Sequence, residues 1–86
     1  MSATVNVLYF ASLRETLGVN AEVVPVTAGA TLAALIAALR ARGGAYAEAL
    51  DTSKRWRAAV NQDIAALDTI LRAGDEVAIF PPVTGG

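Results

Sequence analysis

The strongest constraint on this chain is one apolar stripe. Leu32, Leu35, Ile36 and Leu39 fall at i, i+3, i+4 and i+7, the spacing that lines one face of an amphipathic helix. Each of these side chains, once fully buried, contributes roughly 1.5–3 kcal/mol, so this face should anchor the core. Thr31 reads as the N-cap. Ala33, Ala34, Ala37, Ala38 and Ala41 fill the other positions with strong helix formers. Arg40 and Arg42 complement the C-terminal end of the dipole, and Gly43-Gly44 stops the helix near Arg42.

No other segment sustains that period. The flanking runs are short, β-branched or aromatic. Val5–Phe10 reads as a strand, and Ala21–Thr27 as a second. Pro25 cannot donate to a ladder, which puts the second strand at a sheet edge, and the pair should run antiparallel. Between them, Ser12-Leu-Arg-Glu15 has the form of a capping box opening a helical turn that Gly18 closes. After the main helix, residues 45–50 suggest a short helix and 51–57 a polar connector holding Lys54, the only lysine. Arg57–Asn61 reads as a weak strand, Asn61-Gln62-Asp63 as a turn, Ile64–Leu67 as a short strand, and Glu76–Phe80 as the last strand after a turn at Gly74. Strands grouped around one main helix imply α+β, a mixed sheet with the helix packed on one face.

Composition sharpens this. The chain has 86 residues and is 55% hydrophobic, but nineteen of those residues are Ala. That suffices for one small core and not for two domains, here residues 1–80 followed by a tail from 81 to 86. The net charge of −1 gives no basic excess to neutralise phosphates, which argues against nucleic acid. With no Cys and no His, thiol nucleophiles, imidazole bases, disulfides and the usual zinc sites are excluded. The N-terminus lacks a signal-peptide pattern. The longest uncharged run, Val23–Leu39, has 17 residues broken by Pro25 and Gly29, short of the roughly 20 apolar residues a membrane helix needs. The expectation is a cytoplasmic domain with no membrane partner.

Strand alternation raises a further point. Val5, Val7 and Tyr9 share one face of the first strand, and Asn6, Leu8 and Phe10 the other. In the last strand Phe80 faces with Ala78, opposite Val77 and Ile79. One helix covers one face only. Either loops and the short helix fold over Leu8, Phe10 and Phe80, or these form an exposed patch of the kind that marks a partner surface.

The chain closes with Phe80-Pro-Pro-Val-Thr-Gly-Gly86. Pro81 and Pro82 remove two backbone donors and favour an extended path, so the sheet ends there. The distinctive chemical group of the tail is the α-carboxylate of Gly86, ionised at neutral pH. A carboxylate can attack the α-phosphate of ATP and become an acyl-adenylate open to a sulfur, nitrogen or oxygen nucleophile. Gly85 and Gly86, without Cβ atoms, suit passage through a narrow channel. The ATP must be bound by a partner. Gly-Gly alone is a weak signal. Joined to Pro-Pro, a strand ending in Phe80 and a chain without Cys or His, it is a stronger one.

Three stretches, Val-Leu-Tyr-Phe-Ala-Ser-Leu-Arg-Glu (7–15), Ala-Val-Asn-Gln (59–62) and Gly-Asp-Glu-Val-Ala-Ile-Phe-Pro-Pro-Val-Thr-Gly-Gly (74–86), resemble the small subunits of molybdopterin synthase. The resemblance implies a ubiquitin-like β-grasp fold and a sulfur carrier of molybdenum cofactor biosynthesis. It implies that the Gly86 carboxylate is adenylated by a ubiquitin-activating-like adenylyltransferase, converted to a thiocarboxylate by a sulfurtransferase system, and inserted into the large subunit to donate sulfur to cyclic pyranopterin monophosphate. Pro81, Pro82, Val83, Thr84, Gly85 and Gly86 would form the inserted arm, and Phe10, Ile64 and Phe80 the apolar contact surface. Ile64 rests on the resemblance alone. The catalytic side chains would lie on the large subunit, in a heterotetramer, with no cofactor or metal bound by this chain. The competing functions are a carrier of the thiamin-pathway type, a ubiquitin-like modifier of lysines, and an adaptor whose tail is inert.

Overall fold

The computed structural model describes residues 2–51 and 53–81. Along them run β1 (Ser2–Tyr9), α1 (Ala11–Leu17), β2 (Ala21–Thr27), α2 (Leu32–Arg40), α3 (Gly44–Ala49), β3 (Arg57–Val60), β4 (Asp63–Ile64) and β5 (Glu76–Phe80). The strands form one five-stranded sheet in the order β2-β1-β5-β3-β4. β1 and β5 are parallel at its centre, and the other neighbours are antiparallel. A parallel pair needs a long crossover, and the chain between β1 and β5 supplies the helices that cover one face. The expected α+β β-grasp architecture, with an antiparallel β1–β2 pair and Pro25 on an edge strand, is what the sheet shows.

The stripe on α2 fills the core as its spacing dictates. Leu32, Leu35, Ile36 and Leu39 are all buried, against Val5, Val7 and Tyr9 of β1, Val24 and Val26 of β2, and Val77 and Ile79 of β5. The start of α2 is fully engaged. Thr31 Oγ1 accepts from the Ala34 N–H at 3.2 Å, and the Leu32 and Ala33 N–H groups donate to the carbonyls of Thr69 and Leu67, both at 2.8 Å. The loop before β5 thus supplies acceptors that a helix end otherwise takes from water.

Four local expectations are corrected. Ser12 does not cap α1. The helix opens two residues earlier on Phe10, whose carbonyl accepts from Leu13 and Arg14. The Phe10 N–H donates to the Ile79 carbonyl at 3.2 Å, so the sheet hands the chain directly to the helix through Ala11 at φ 51°. The α2 helix ends at Arg40 rather than Arg42, because Arg42 and Gly43 donate three residues back, to Leu39 and Arg40, tightening the last turn. The short helix begins at Gly44, a residue ahead of its expected start. The short strand is Asp63–Ile64 and not Ile64–Leu67, since residues 65–69 turn back toward α2.

The Asn61–Gln62 turn joining β3 to β4 places both residues at positive φ, 51° and 74°, the geometry of a tight two-residue hairpin that favours Asn-Gly. Asn adopts the left-handed region at lower cost than Gln. Replacing Gln62 by Gly should relieve about 1–2 kcal/mol of strain against roughly 0.5–1 kcal/mol of added chain entropy. We expect a net gain of about 0.5–1 kcal/mol and a melting temperature higher by a few degrees. A calorimetric midpoint equal to or below that of the parent chain would contradict this.

Candidate functional site

Residue alternation divides the sheet into a helix-covered face and an open one. On the open face the pairing aligns Ala21, Leu8, Ala78, Ala59 and Ile64 across all five strands. Toward the C-terminal end of β5, Phe80 stands across from Arg57. Phe10 continues the alternation of β1 beyond Leu8 and is 45% exposed, and Ile64 is 65% exposed. Leu8 and Phe80 are half-buried. The structure thus brings Phe10, Phe80 and Ile64 to one side of the sheet, around a row of small or apolar groups. The helices leave that side uncovered.

The tail leaves from the middle of this arrangement. β5 is flanked on both sides, by β1 and β3, and its Val77 and Ile79 have no measurable exposure. Pro81 follows at once and borders a cleft with Ser12, Thr16, Arg55 and Trp56. Pro82, Val83, Thr84, Gly85 and Gly86 lie outside the described residues, so the sequence expectations placed on them stand as sequence arguments. Among the described residues no three metal-ligating side chains gather, and no helix is long and apolar enough to cross a membrane.

Asn61 and Asp75, one from each of two stretches that carry the family resemblance, hold the frame. The Asn61 side chain donates to Asp75 Oδ1 at 2.9 Å and accepts from the Glu76 N–H at 3.0 Å. Asp75 Oδ2 accepts from the Arg72 N–H at 2.8 Å. That backbone bond, with the Asn61 amide, holds the Asp75 carboxyl below its ordinary value. These contacts lock the β3–β4 turn to the segment that launches β5.

A polar cluster at the edge of the core was not visible in the sequence. Glu22 lies across from Val7 and shares its face of β2 with the buried Val24 and Val26. Its Oε2 accepts from the hydroxyls of Tyr9 at 2.9 Å and Tyr46 at 2.8 Å, and its Oε1 from Arg42 Nη1 at 2.6 Å. Arg42, expected to complement the helix dipole, spans from the end of α2 to β2 and lies 4.9 Å from the Tyr46 ring centroid. Tyr9 and Tyr46 meet edge to face, with centroids 6.3 Å apart. Residues from β1, β2, α3 and the turn after α2 converge here, so no local sequence signal could have grouped them.

This cluster carries a pH prediction. Burial pushes the Glu22 carboxyl upward, but the bonds from Arg42, Tyr46 and Tyr9 outweigh it and leave the group below its ordinary 4.5. Burial and the bond to Glu22 push both Tyr9 and Tyr46 above the ordinary 10.0. The Glu22 contribution is therefore complete above the unfolded carboxyl value and is lost as pH falls below 4.5. The tyrosine contributions are complete below pH 10.0 and are lost as pH rises above it. Glu22→Gln keeps one acceptor for three donors and should cost about 1–3 kcal/mol near neutrality. Urea unfolding across the pH range should show the acid limb flattened in that variant. An unchanged acid limb would mean that the cluster does not govern it.

A five-stranded mixed sheet with helices on one face and a tail leaving its central strand defines the ubiquitin-like β-grasp class. The ThiS family model matches residues 7–86, and the chain belongs to that family. It is 44% identical over 82 residues to the molybdopterin synthase sulfur carrier subunit of Escherichia coli strain K12, covering 95% of this chain and 99% of that one. Among solved structures, SAMP1 of Haloferax volcanii superimposes with a TM-score of 0.79 at 31% identity, covering 98% of this chain and 100% of that one. A chain in the complex of subunits 1 and 2 of the molybdopterin-converting factor from Helicobacter pylori 26695 does so with a TM-score of 0.63 at 27% identity, covering 96% of this chain and 99% of that one.

Proposed function

We propose that this chain is the sulfur carrier subunit of a molybdopterin synthase. The observation that carries the reading is the sequence Pro-Pro-Val-Thr-Gly-Gly that follows directly on β5, a central strand of the sheet. It is joined to near full-length similarity to a protein named for that role. The Gly86 carboxylate attacks the α-phosphate of ATP held by a ubiquitin-activating-like adenylyltransferase, pyrophosphate leaves, and an acyl-adenylate forms. A sulfurtransferase system supplies the sulfur that displaces AMP, leaving a thiocarboxylate. The tail then enters the large subunit, which supplies acid–base and anion-binding groups. There the thiocarboxylate sulfur passes to cyclic pyranopterin monophosphate, and two carriers in succession complete a dithiolene. Residues 81–86 reach at most about 20 Å, so the body must dock closely, and Phe10, Ile64 and Phe80 are the surface that does so. The reaction takes place in the cytoplasm, in a heterotetramer of two small and two large subunits.

The test is the intact mass of the chain after coexpression with the adenylyltransferase and a sulfur source. Exchange of one oxygen for sulfur, mapped to Gly86, is expected. An unchanged mass beside a control carrier that is converted would refute the carrier role and leave the open face as the functional element. The likeness to SAMP1, a protein named as a modifier in a second structure, favours a second reading in which the same activated Gly86 is passed to lysines of target proteins. A ladder of covalent conjugates, absent when Gly86 is deleted, would select it.

A further inference from the structure

The end of the sheet from which the tail leaves carries a collar of positive charge. Lys54 and Arg55 line the cleft beside Pro81, together with Ser12, Thr16 and Trp56. Arg57 stands across from Phe80, on the open face. The three cations thus flank the tail root from both sides of the sheet, and all are exposed. No carboxylate lines the cleft among the described residues, and the one ion pair there is Arg42–Glu22. Asp51, the acidic neighbour in sequence, is turned into its own loop, where its Oδ1 accepts from the Ser53 N–H at 2.8 Å. Carboxylates gather instead at the other end of β5. Asp75 and Glu76 stand at its start, and Asp63 lies across from Val60, which pairs with Val77. A net charge of −1 therefore conceals a polarity along this strand, positive where the tail emerges and negative where the strand begins.

Five residues follow Pro81, and fully extended they span at most about 18 Å. A partner that takes the Gly86 carboxylate into an enclosed site must bring the rim of its channel down to the tail root. Lys54, Arg55 and Arg57 then face that rim and stand too far back to touch the reacting atoms. We propose that the large subunit carries carboxylates on the rim of the channel that receives the tail, and that these meet Lys54, Arg55 and Arg57. This rests on the sulfur-carrier reading and adds to it a charge requirement at the partner's entrance. A channel that binds an anionic substrate at its inner end holds cations there, and a rim of the same sign would repel the collar. Covering three cations with an uncharged rim would be costly as well. The polarity along β5 also acts before contact, since it turns the chain tail-first toward a negative entrance.

Lys54 is the only lysine of the chain, which makes a direct test available. In the complex of the full chain with the large subunit, a water-soluble carbodiimide should join the Lys54 amine to an aspartate or glutamate of the large subunit. Peptide mapping identifies the pair. Association rates across ionic strength are then compared for the parent chain, Arg55→Gln/Arg57→Gln, Arg72→Glu and Lys54→Arg/Arg55→Lys/Arg57→Lys. The first two variants change the net charge by the same amount, but Arg72 is exposed beside Asp75, at the far end of β5. Thermal unfolding of each variant verifies the fold. Arg55→Gln/Arg57→Gln should associate about tenfold more slowly at low salt and match the parent near 1 M salt, where charges are screened beyond about 3 Å. Arg72→Glu and the charge-conserving variant should stay within about twofold of the parent. Equal slowing by Arg72→Glu would make net charge the cause. Unchanged association, or no coupling of Lys54 in a complex that does form, would remove the collar from the interface. Coupling of Lys54 to Gly86 of the same chain would give the collar to the tail itself. Each of these three results overturns the inference and leaves the carrier reading standing. If the parent chain does not bind the large subunit, the carrier reading itself falls.

Discussion

Deletion of Gly86 should abolish sulfur donation while leaving the thermal unfolding midpoint where it was. The deletion leaves Gly85 as a terminal glycine with an ionised carboxylate, so the chemistry of the group survives and only its position changes. That position retreats by about 3.5 Å, one residue of extended chain. Misplacement of a reacting group by about 1 Å can already cost on the order of a hundredfold, and the tail cannot follow because its root is fixed. Val77 and Ile79 are fully buried in a strand paired on both sides, and the Phe10 N–H holds the Ile79 carbonyl. Moving the tail inward by one residue would break that central register. Gly86→Ala is the matching variant, since it keeps the carboxylate in place and adds one Cβ in the channel. It should reduce the rate without abolishing it. Thiocarboxylate formation by intact mass and molybdopterin formation are the two readouts. Normal molybdopterin production by the Gly86-deleted chain would exclude the tail as the sulfur-bearing group.

The elements read correctly from sequence are those in which local pattern and global packing demand the same thing. The spacing of Leu32, Leu35, Ile36 and Leu39 is set by a helix lying on a sheet, and each of these residues is buried where the spacing puts it. Pro25 has no N–H to donate to a strand on a second side, and β2 is an edge, paired with β1 alone. Strand alternation also separated Phe10 and Phe80 from the core residues beside them. What could not be read depends on partners distant in the chain. Ser12 and Glu15 fit a capping box, but the bond from the Phe10 N–H to the Ile79 carbonyl starts α1 two residues earlier and overrides the local preference. Arg42 resembles a residue complementing a helix terminus until the fold brings Glu22, twenty residues away, within 2.6 Å. Lys54, Arg55 and Arg57 look like ordinary surface charge in a polar connector, and only the pairing of β3 with β5 sets them around the root of the tail.

Phe80→Asp should weaken binding to the large subunit by a hundredfold or more while the chain remains folded. Folding survives because Phe80 is half-buried at the end of its strand, and because the new carboxylate stands across from Arg57. A cross-strand pair of opposite charge there contributes a few tenths to about 1 kcal/mol, against a somewhat larger loss of apolar burial. Binding does not recover so easily. Truncating an aromatic anchor at the centre of an interface costs about 2 kcal/mol or more, and a charge buried there without its full solvation adds to that. Phe80→Ala isolates the first contribution and should lose about thirtyfold, so the ratio of the two variants reports how dry the contact is. Because the defect is in docking, raising the concentration of Phe80→Asp should restore turnover toward the parent rate once it carries the thiocarboxylate. No concentration should restore it for the Gly86 deletion. Binding within about threefold of the parent chain for both Phe80 variants would place the interface away from the open face, whatever the tail does.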